Sequence, residues 1–452
     1  MIQKILIANR GEIASRIIST CKQLSIETVA VYSDADEEMP FVKEADHSFR
    51  IGESQVNRSY LMMDTIVEVA KRERVDAIHP GYGLLSENAS FAKLVEEEGL
   101  IFVGPDWKTI EVMGDKVKAR KIMKDAGVPV VPGSESGCAS IESAKHLAAE
   151  IGYPVMLKAS GGGGGIGMIR CADEQALVQH FDSTRNRAKA YFGNDEVFLE
   201  KCIDESRHIE VQIFGDQRGN LVHLFERNCS VQRRNQKVIE ESPSPALSEK
   251  TKELMLAAAV KAGKAVGYTN AGTVEFIVDR DEQFYFLEMN TRLQVEHPVT
   301  EAVTELDLVK WQLKVAQGEE LPISAQEGIF SRGHAIEFRI YAEDPKTFFP
   351  SPGLLATLEW GEKQDGVRID AGYAQGNKVT PFYDPMIAKC IVSGQDRAAC
   401  LETARRFFGG VEIQGVKTNL PLIREVLSAD EFVDGDYSTK WLQDYLSAQQ
   451  QS

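Results

Sequence analysis

At 452 residues, 43% of them hydrophobic and 26% charged, the chain has the composition of an ordinary globular protein of two to four domains. Its formal net charge of −17 argues against nucleic acid or an anionic membrane as general partner, so an anionic ligand needs a local basic pocket. The seven cysteines are scattered and never form Cys-x-x-Cys, which suits a reducing cytoplasm and neither a zinc site nor a disulfide framework. No apolar run approaches the roughly 18 residues of a membrane-spanning helix. Met1 to Lys4 lead directly into a strand, so no secretory signal is expected.

Residues 2–8 read as a buried-type strand, and residues 12–24 have helical spacing with Ile13, Ile17, Ile18 and Cys21 on one face. A second strand, 27–32, ends at Asp34 and Asp36. Helical 60–72 precedes a strand at 76–79, and helical 91–98 precedes a strand at 100–104. This alternation predicts a parallel, doubly wound sheet. A dinucleotide fold would show Gly-x-Gly-x-x-Gly after its first strand; Asn9-Arg10-Gly11-Glu12 holds only Gly11, so NAD and FAD are rejected. His79-Pro80-Gly81-Tyr82-Gly83 follows the third strand, at the edge where such sheets place ligands, although a tight structural turn is the plainer reading.

Residues 115–125 form a basic helix (Lys116, Lys118, Arg120, Lys121, Lys124), ordinarily a solvated face. Strands at 153–158 and 168–171 flank a run of five glycines, 161–165, suited to a loop whose bare N–H groups close over an anion. It is no Walker A loop, because Gly-Lys-Ser/Thr is missing and a strand follows. Lys158, at a strand end, is placed to meet a phosphate. A strand at 197–203 precedes alternating 208–214, with His208, Glu210 and Gln212 on one face. A Gly/Asn turn leads to a strand at 221–225, and Gln232 to Lys237 form a local basic cluster.

Residues 272–279 and 283–289 read as a hairpin around Asp279-Arg280-Asp281-Glu282. Alternation in the second strand puts Phe284, Phe286, Glu288 and Asn290 on one face and Tyr285, Leu287 and Met289 on the other. Facing residues of an antiparallel pair share a constant index sum. For a turn of two or four residues that sum is odd, which brings Glu275 and Glu288 onto one face. Buried together they need a cation, and a hard ion held by Glu275, Glu288 and Asn290 would serve. A pair of surface glutamates on an edge hairpin is the alternative. From residue 332 short strands dominate, at 334–341, 354–360, 367–373 and 386–393, closed by a helix at 397–408. Glu337 and Arg339 share a face there, so a salt bridge between them is the simple expectation.

In order along the chain, Ile7 to Ala14, His79 to Gly83, Lys158 to Gly165, Gln232 to Arg234, Gln236-Lys237, Glu288 to Pro298, Glu337 to Pro345 and Pro350 to Gly353 resemble the ATP-grasp superfamily, and specifically biotin carboxylase. The resemblance covers roughly residues 1–445. It implies an α/β (α+β) protein: a Rossmann-like N-terminal domain over 1–114, an ATP-grasp region over 115–330 with a mobile glycine-loop lid at about 131–203, and an antiparallel β C-terminal domain over 331–445.

The same resemblance implies a function. Lys116 and Lys158 would hold the phosphates of ATP, with Gly164 and Gly165 in the closing lid. Glu200, Lys201, Cys202 and Ile203 would form the adenine hinge, with His208 and Asn235 near the nucleotide. Glu275 and Glu288, with Asn290, would bind magnesium or manganese. Lys237, Arg292, Gln294 and the Val295 backbone would grip bicarbonate, and Glu296 would deprotonate it. Arg339 would bind the ureido oxygen of biotin, with Tyr82 near the ring. Attack of bicarbonate on the γ-phosphoryl group gives carboxyphosphate, whose instability in water gives the lid a reason to close. No Ala-Met-Lys-Met biotinylation motif occurs, so the expected partners are a biotin carboxyl carrier protein and a carboxyltransferase subunit of an acetyl-CoA or other acyl-CoA carboxylase, as in fatty acid biosynthesis. A cytoplasmic homodimer is the family expectation.

This sequence departs from the acetyl-CoA-type pattern at Ile166 (Arg or Lys), Asn228 (Asp) and Asn235 (His). Ile166 and Asn235 are closer to the urea-carboxylase branch, which leaves the final acceptor open. A carbamoyl-phosphate-type ligase or a catalytically inactive ATP-binding regulatory subunit would share much of this pattern; the intact Gln294-Val295-Glu296-His297 set and Arg339 favour biotin.

Overall fold

The computed structural model describes residues 1–134, 136–161 and 167–449, so Gly164, Gly165 and Ile166 lie outside the described residues. The N-terminal unit is a five-stranded parallel sheet in which Lys4–Ile7 lies between Glu27–Ser33 and Ala77–His79. The expected helix is Gly11–Gln23, and Ile13, Ile17, Ile18 and Cys21 are its buried face. One strand escaped the sequence reading: His47–Gly52, at the sheet edge, fully buries only Ile51 and so lacks a continuous apolar signal. The two N-terminal motifs are physically joined. Asn9 Nδ2 donates to the carbonyls of Pro80 (2.6 Å) and Tyr82 (2.8 Å), and a Cβ on Gly81 would lie 2.8 Å from that nitrogen.

The second sheet has eight strands, every neighbour antiparallel, in the order Phe284–Asn290, Asn270–Val278, Arg207–Gly215, Leu221–Arg233, Gln236–Ser242, His334–Tyr341, Met386–Gly394, Val367–Ala371. The chain path changes near residue 330, but the sheet does not break there, because Gln236–Ser242 pairs directly with His334–Tyr341. Ile209, Val211 and Ile213 pack on Met255, Ala259 and Ala262 of helix Glu249–Ala265, which buries one face and leaves the other for chemistry. A third, three-stranded sheet joins Val155–Ala159 to Met168–Cys171 and Val197–Lys201, under helices Ile141–Ile151 and Glu174–Phe192.

Three sequence expectations are corrected. The strand expected to end at 225 runs to Arg233, turns through Arg234 (φ 50°) and Asn235 (φ 66°), and returns as Gln236–Ser242; the basic cluster is therefore a hairpin tip. Residues 354–360 are two short strands, Gly353–Leu354 and Thr357–Glu359. In the Glu275/Glu288 hairpin the turn is Arg280 to Glu282, closed by the Asp279–Gln283 backbone bond, with Glu282 at φ 59°. Such a three-residue loop makes the index sum even, so Phe286 faces Phe276. A bulge at Leu287 restores the odd sum, and Glu275 then faces Glu288. The bulge also puts Phe284 and Phe286 on the core face with Met289, not beside Glu288 and Asn290 as alternation predicted.

Two consecutive positive φ values fit a two-residue primed turn, in which Asn is favoured. Asn235→Val should destabilise the fold by about 1–2 kcal/mol in chemical denaturation, while Asn235→Gly stays within about 0.5 kcal/mol of the parent.

Candidate active site

The free face of the large sheet carries one rung of charge across four strands. Glu288 is paired with Glu275, Glu275 with Glu210, and Glu210 with Arg227. Like charges directly opposite are unfavourable unless cations join them. Lys237 Nζ, from the next strand, lies 2.6 Å from Glu210, 3.1 Å from Glu275 and 2.6 Å from Glu296. Arg227, fully buried, reaches Glu210 (2.5 Å) and binds Gln212, Thr273, Thr300 and Gln294. His208 Nε2 is 2.9 Å from Glu275, and Lys116 Nζ is 2.9 Å from Glu288.

Burial raises the Glu210 carboxyl above its ordinary value despite Arg227 and Lys237. For Glu275 burial also pushes upward, but Lys237 and His208 more than offset it and hold the carboxyl well below the usual range. Glu296 is likewise brought down against burial by Lys237, Arg339 and Arg227. Lys237, which burial alone would neutralise, is kept charged by Glu210, Glu275 and Glu296.

The loop after Phe284–Asn290 supplies the remaining groups. Glu87 of the N-terminal unit accepts from the Thr291 N–H (3.1 Å) and from Arg292 Nε (2.8 Å), while Arg292 also donates to Asn290 Oδ1 (3.1 Å). Gln294 Nε2 and Asn290 Nδ2 both donate to Glu275 Oε1 at 2.8 Å. Glu296 caps no helical N–H, although helix His297–Thr304 follows it directly. Its carboxylate turns to Lys237 and, at 3.1 Å, to Arg339. The Val295 carbonyl accepts from Lys389 (2.8 Å), which also lies 3.2 Å from Glu12, and Tyr82 donates to the same Glu12. The expected Glu337–Arg339 bridge is replaced: Arg339 pairs with Glu240 (2.5 Å) and Glu296.

The structure thus gathers Lys237, Glu275, Asn290, Arg292, Gln294, Val295, Glu296 and Arg339 around one point, with Glu288 and Lys116 at its flank. Lys158 and Glu200 pair with each other in the small sheet, where Arg120 is 3.7 Å from Glu200. Lys201 turns away, its Nζ donating to the carbonyls of Gly152 (2.7 Å) and Tyr153 (3.2 Å). Cys202 and Ile203 follow the strand end and are half-buried, and Asn235 is exposed at its hairpin tip. Sequence reasoning assigned nothing to Arg227, Glu87, Glu240 or Lys389, and gave Glu337 only the salt bridge it does not make. Glu210 carried a signal, its alternation with His208 and Gln212; Arg227 lay beyond the expected strand end.

Two facing carboxylates and an amide oxygen form the donor set of a hard, oxygen-seeking cation, and Lys116 already brings positive charge to that place. A doubly wound unit, a charged antiparallel sheet and a small lysine-bearing sheet define an ATP-grasp ligase. Residues 1–110 match the family described as Biotin carboxylase, N-terminal domain, residues 115–324 the Carbamoyl-phosphate synthase L chain, ATP binding domain, and residues 337–444 the Biotin carboxylase C-terminal domain. The chain is 54% identical over 446 residues to Biotin carboxylase 2 of Bacillus subtilis, covering 99% of this chain and 100% of that one. It is similar to the biotin carboxylase domain dimer of Hydrogenobacter thermophilus 2-oxoglutarate carboxylase, solved with MgADP, ADP and bicarbonate (TM-score 0.95, 46% identity, 98% of each chain). It is also similar to the biotin carboxylase–β-γ-ATP complex from Campylobacter jejuni (TM-score 0.96, 44% identity, 98% of this chain and 99% of that one). The chain belongs to the biotin carboxylase family, whose members are ATP-dependent ligases.

Lys237 lowers Glu275 and Glu296 in the folded state, so the stability it confers is present above their unfolded values and lost as pH falls through the folded ones. Lys237→Gln should therefore lower the thermal midpoint most at neutral pH, with the deficit narrowing below about pH 5 as the carboxylates are protonated. Differential scanning calorimetry across that range checks it.

Proposed function

We propose that this chain is the biotin carboxylase subunit of an acetyl-CoA or related acyl-CoA carboxylase: it uses ATP and bicarbonate to carboxylate N1′ of biotin on a carrier protein, giving ADP and phosphate. The observation that carries this reading is the convergence of Lys237, Arg292, Gln294 and Glu296 beside Arg339. Positive groups and amide donors suit a bicarbonate anion, and Glu296 stands within their reach as the base that takes its proton. Lys116 and Lys158 meet the nucleotide phosphates. Residues 200–203 read the adenine, with His208 and Asn235 at the border of that pocket. Glu275, Glu288 and Asn290 would hold magnesium or manganese, which neutralises charge on the phosphates when bound. Released carbon dioxide stays beside phosphate, phosphate takes the N1′ proton, and Arg339 holds the resulting ureido anion, with Tyr82 at the ring edge.

The division into 1–114, 115–330 and 331–445, the homodimer and the cytoplasmic location belong to the same proposal. Seven thiols without a disulfide among the described residues suit that compartment, and no helix among those residues is long and apolar enough to cross a membrane. Asn235, which had suggested a urea-type acceptor, meets a backbone requirement of its own turn.

Purified protein with MgATP should release ADP only when bicarbonate is present, faster with free biotin, and Glu296→Ala should reduce that rate by about 100-fold or more. ATP binding without such turnover would replace the enzyme with a regulatory nucleotide-binding subunit.

A further inference from the structure

Beside the site lies a carboxyl pair that the proposed reaction does not use. Glu240 and Glu337 face each other on neighbouring strands, Gln236–Ser242 and His334–Tyr341, and both are fully buried. Two ionised carboxylates cannot stand together there unaided. No oxygen of either carboxyl finds a hydrogen-bond partner among the described residues, and burial pushes the Glu337 carboxyl well above the ordinary value. Glu337 is therefore the member more readily neutralised, and Glu240, the one with a guanidinium beside it, is the member able to carry charge. Arg339 Nη2 stands 2.5 Å from Glu240 Oε1 and 3.1 Å from Glu296 Oε2. One guanidinium nitrogen serves both the proposed base and a carboxylate behind it.

We propose that Glu240 is a positioning residue for biotin carboxylation, its carboxylate drawing Arg339 off Glu296 so that the base is freed and the guanidinium is aimed at the biotin ureido oxygen. The inference rests on the biotin carboxylase function proposed for this chain. A carboxylate held by two cations is a weak base, and withdrawing one of them restores basicity. With Glu240 neutral, the charge of Arg339 falls to Glu296 alone.

The groups facing Glu240 are Arg339, Glu337 and Tyr341 from one neighbouring strand, Cys229 from the other, Lys237 from its own strand and Glu296 from the loop before helix His297–Thr304. Burial lifts the Glu240 carboxyl to about 7, while Arg339 and Lys237 pull it down and Glu296 pushes it up. Glu240 ionises as pH rises through that value, so the biotin-dependent rate should rise with it.

The test measures ADP release with MgATP, bicarbonate and free biotin from pH 6 to 9. Glu240→Gln should lower kcat about tenfold at pH 8, leave the KM for ATP within about twofold, and lose the rising limb; Glu240→Asp, which keeps the charge, should recover part of both. Glu337→Gln, which imitates a neutral acid, should keep the parental rate and limb. Absence of bicarbonate-dependent turnover in the parent overturns the functional reading itself. Parental turnover with an unchanged Glu240→Gln profile overturns this inference alone, as does loss of the limb in Glu337→Gln. Should Glu240→Gln not fold, a parental kcat that is flat between pH 6 and 8 overturns it equally.

Discussion

The structure depends on one arrangement of charge, the rung Glu288–Glu275–Glu210–Arg227 with Lys237 laid across it. Three carboxylates in adjacent strands would force the sheet apart in an apolar setting. They are tolerated because each has a cation within ion-pair distance and because Gln294 and Asn290 donate further hydrogen bonds. The same crowding is useful to a ligand. A site whose carboxylates are already held by lysines and arginines can exchange partners when phosphates, a divalent cation and bicarbonate arrive, without creating an unpaired charge.

Continuity of the large sheet gives the site its reach. Strand Gln236–Ser242 brings Lys237 and Glu240, and its neighbour His334–Tyr341 brings Arg339, so groups about a hundred residues apart in sequence meet with strand-level precision. The N-terminal unit closes the arrangement from the other side. Glu87 fixes the Thr291-Arg292 loop, while Tyr82, Glu12 and Lys389 run from the parallel sheet to the Val295 carbonyl. Asn9 holds the turn that carries Tyr82, which explains why two motifs distant in sequence occur together.

Local periodicity made the elements near each motif legible, along with the pairing of Glu275 and Glu288. It reached that pairing through a turn length the protein does not use, and the Leu287 bulge corrected the register; a bulge leaves no trace in alternation. Composition likewise hid the hairpin at Arg234-Asn235, because basic residues mask a long strand whose buried end is polar. Arg227 and Glu240 were out of reach for a related reason. A charged residue inside a strand resembles a surface position until the neighbouring strands are known. The residues tied to chemistry by resemblance were easier to name than the ones that hold them in place.

The central claim is that these groups deliver a bicarbonate oxygen to the γ-phosphoryl group of ATP within a site that excludes water. Turnover with ¹⁸O-labelled bicarbonate, followed by mass analysis of the released phosphate, tests it most directly. Phosphate carrying an oxygen from bicarbonate is the predicted result. Unlabelled phosphate, its new oxygen taken from solvent, would contradict the account and leave the charged rung serving simple ATP hydrolysis.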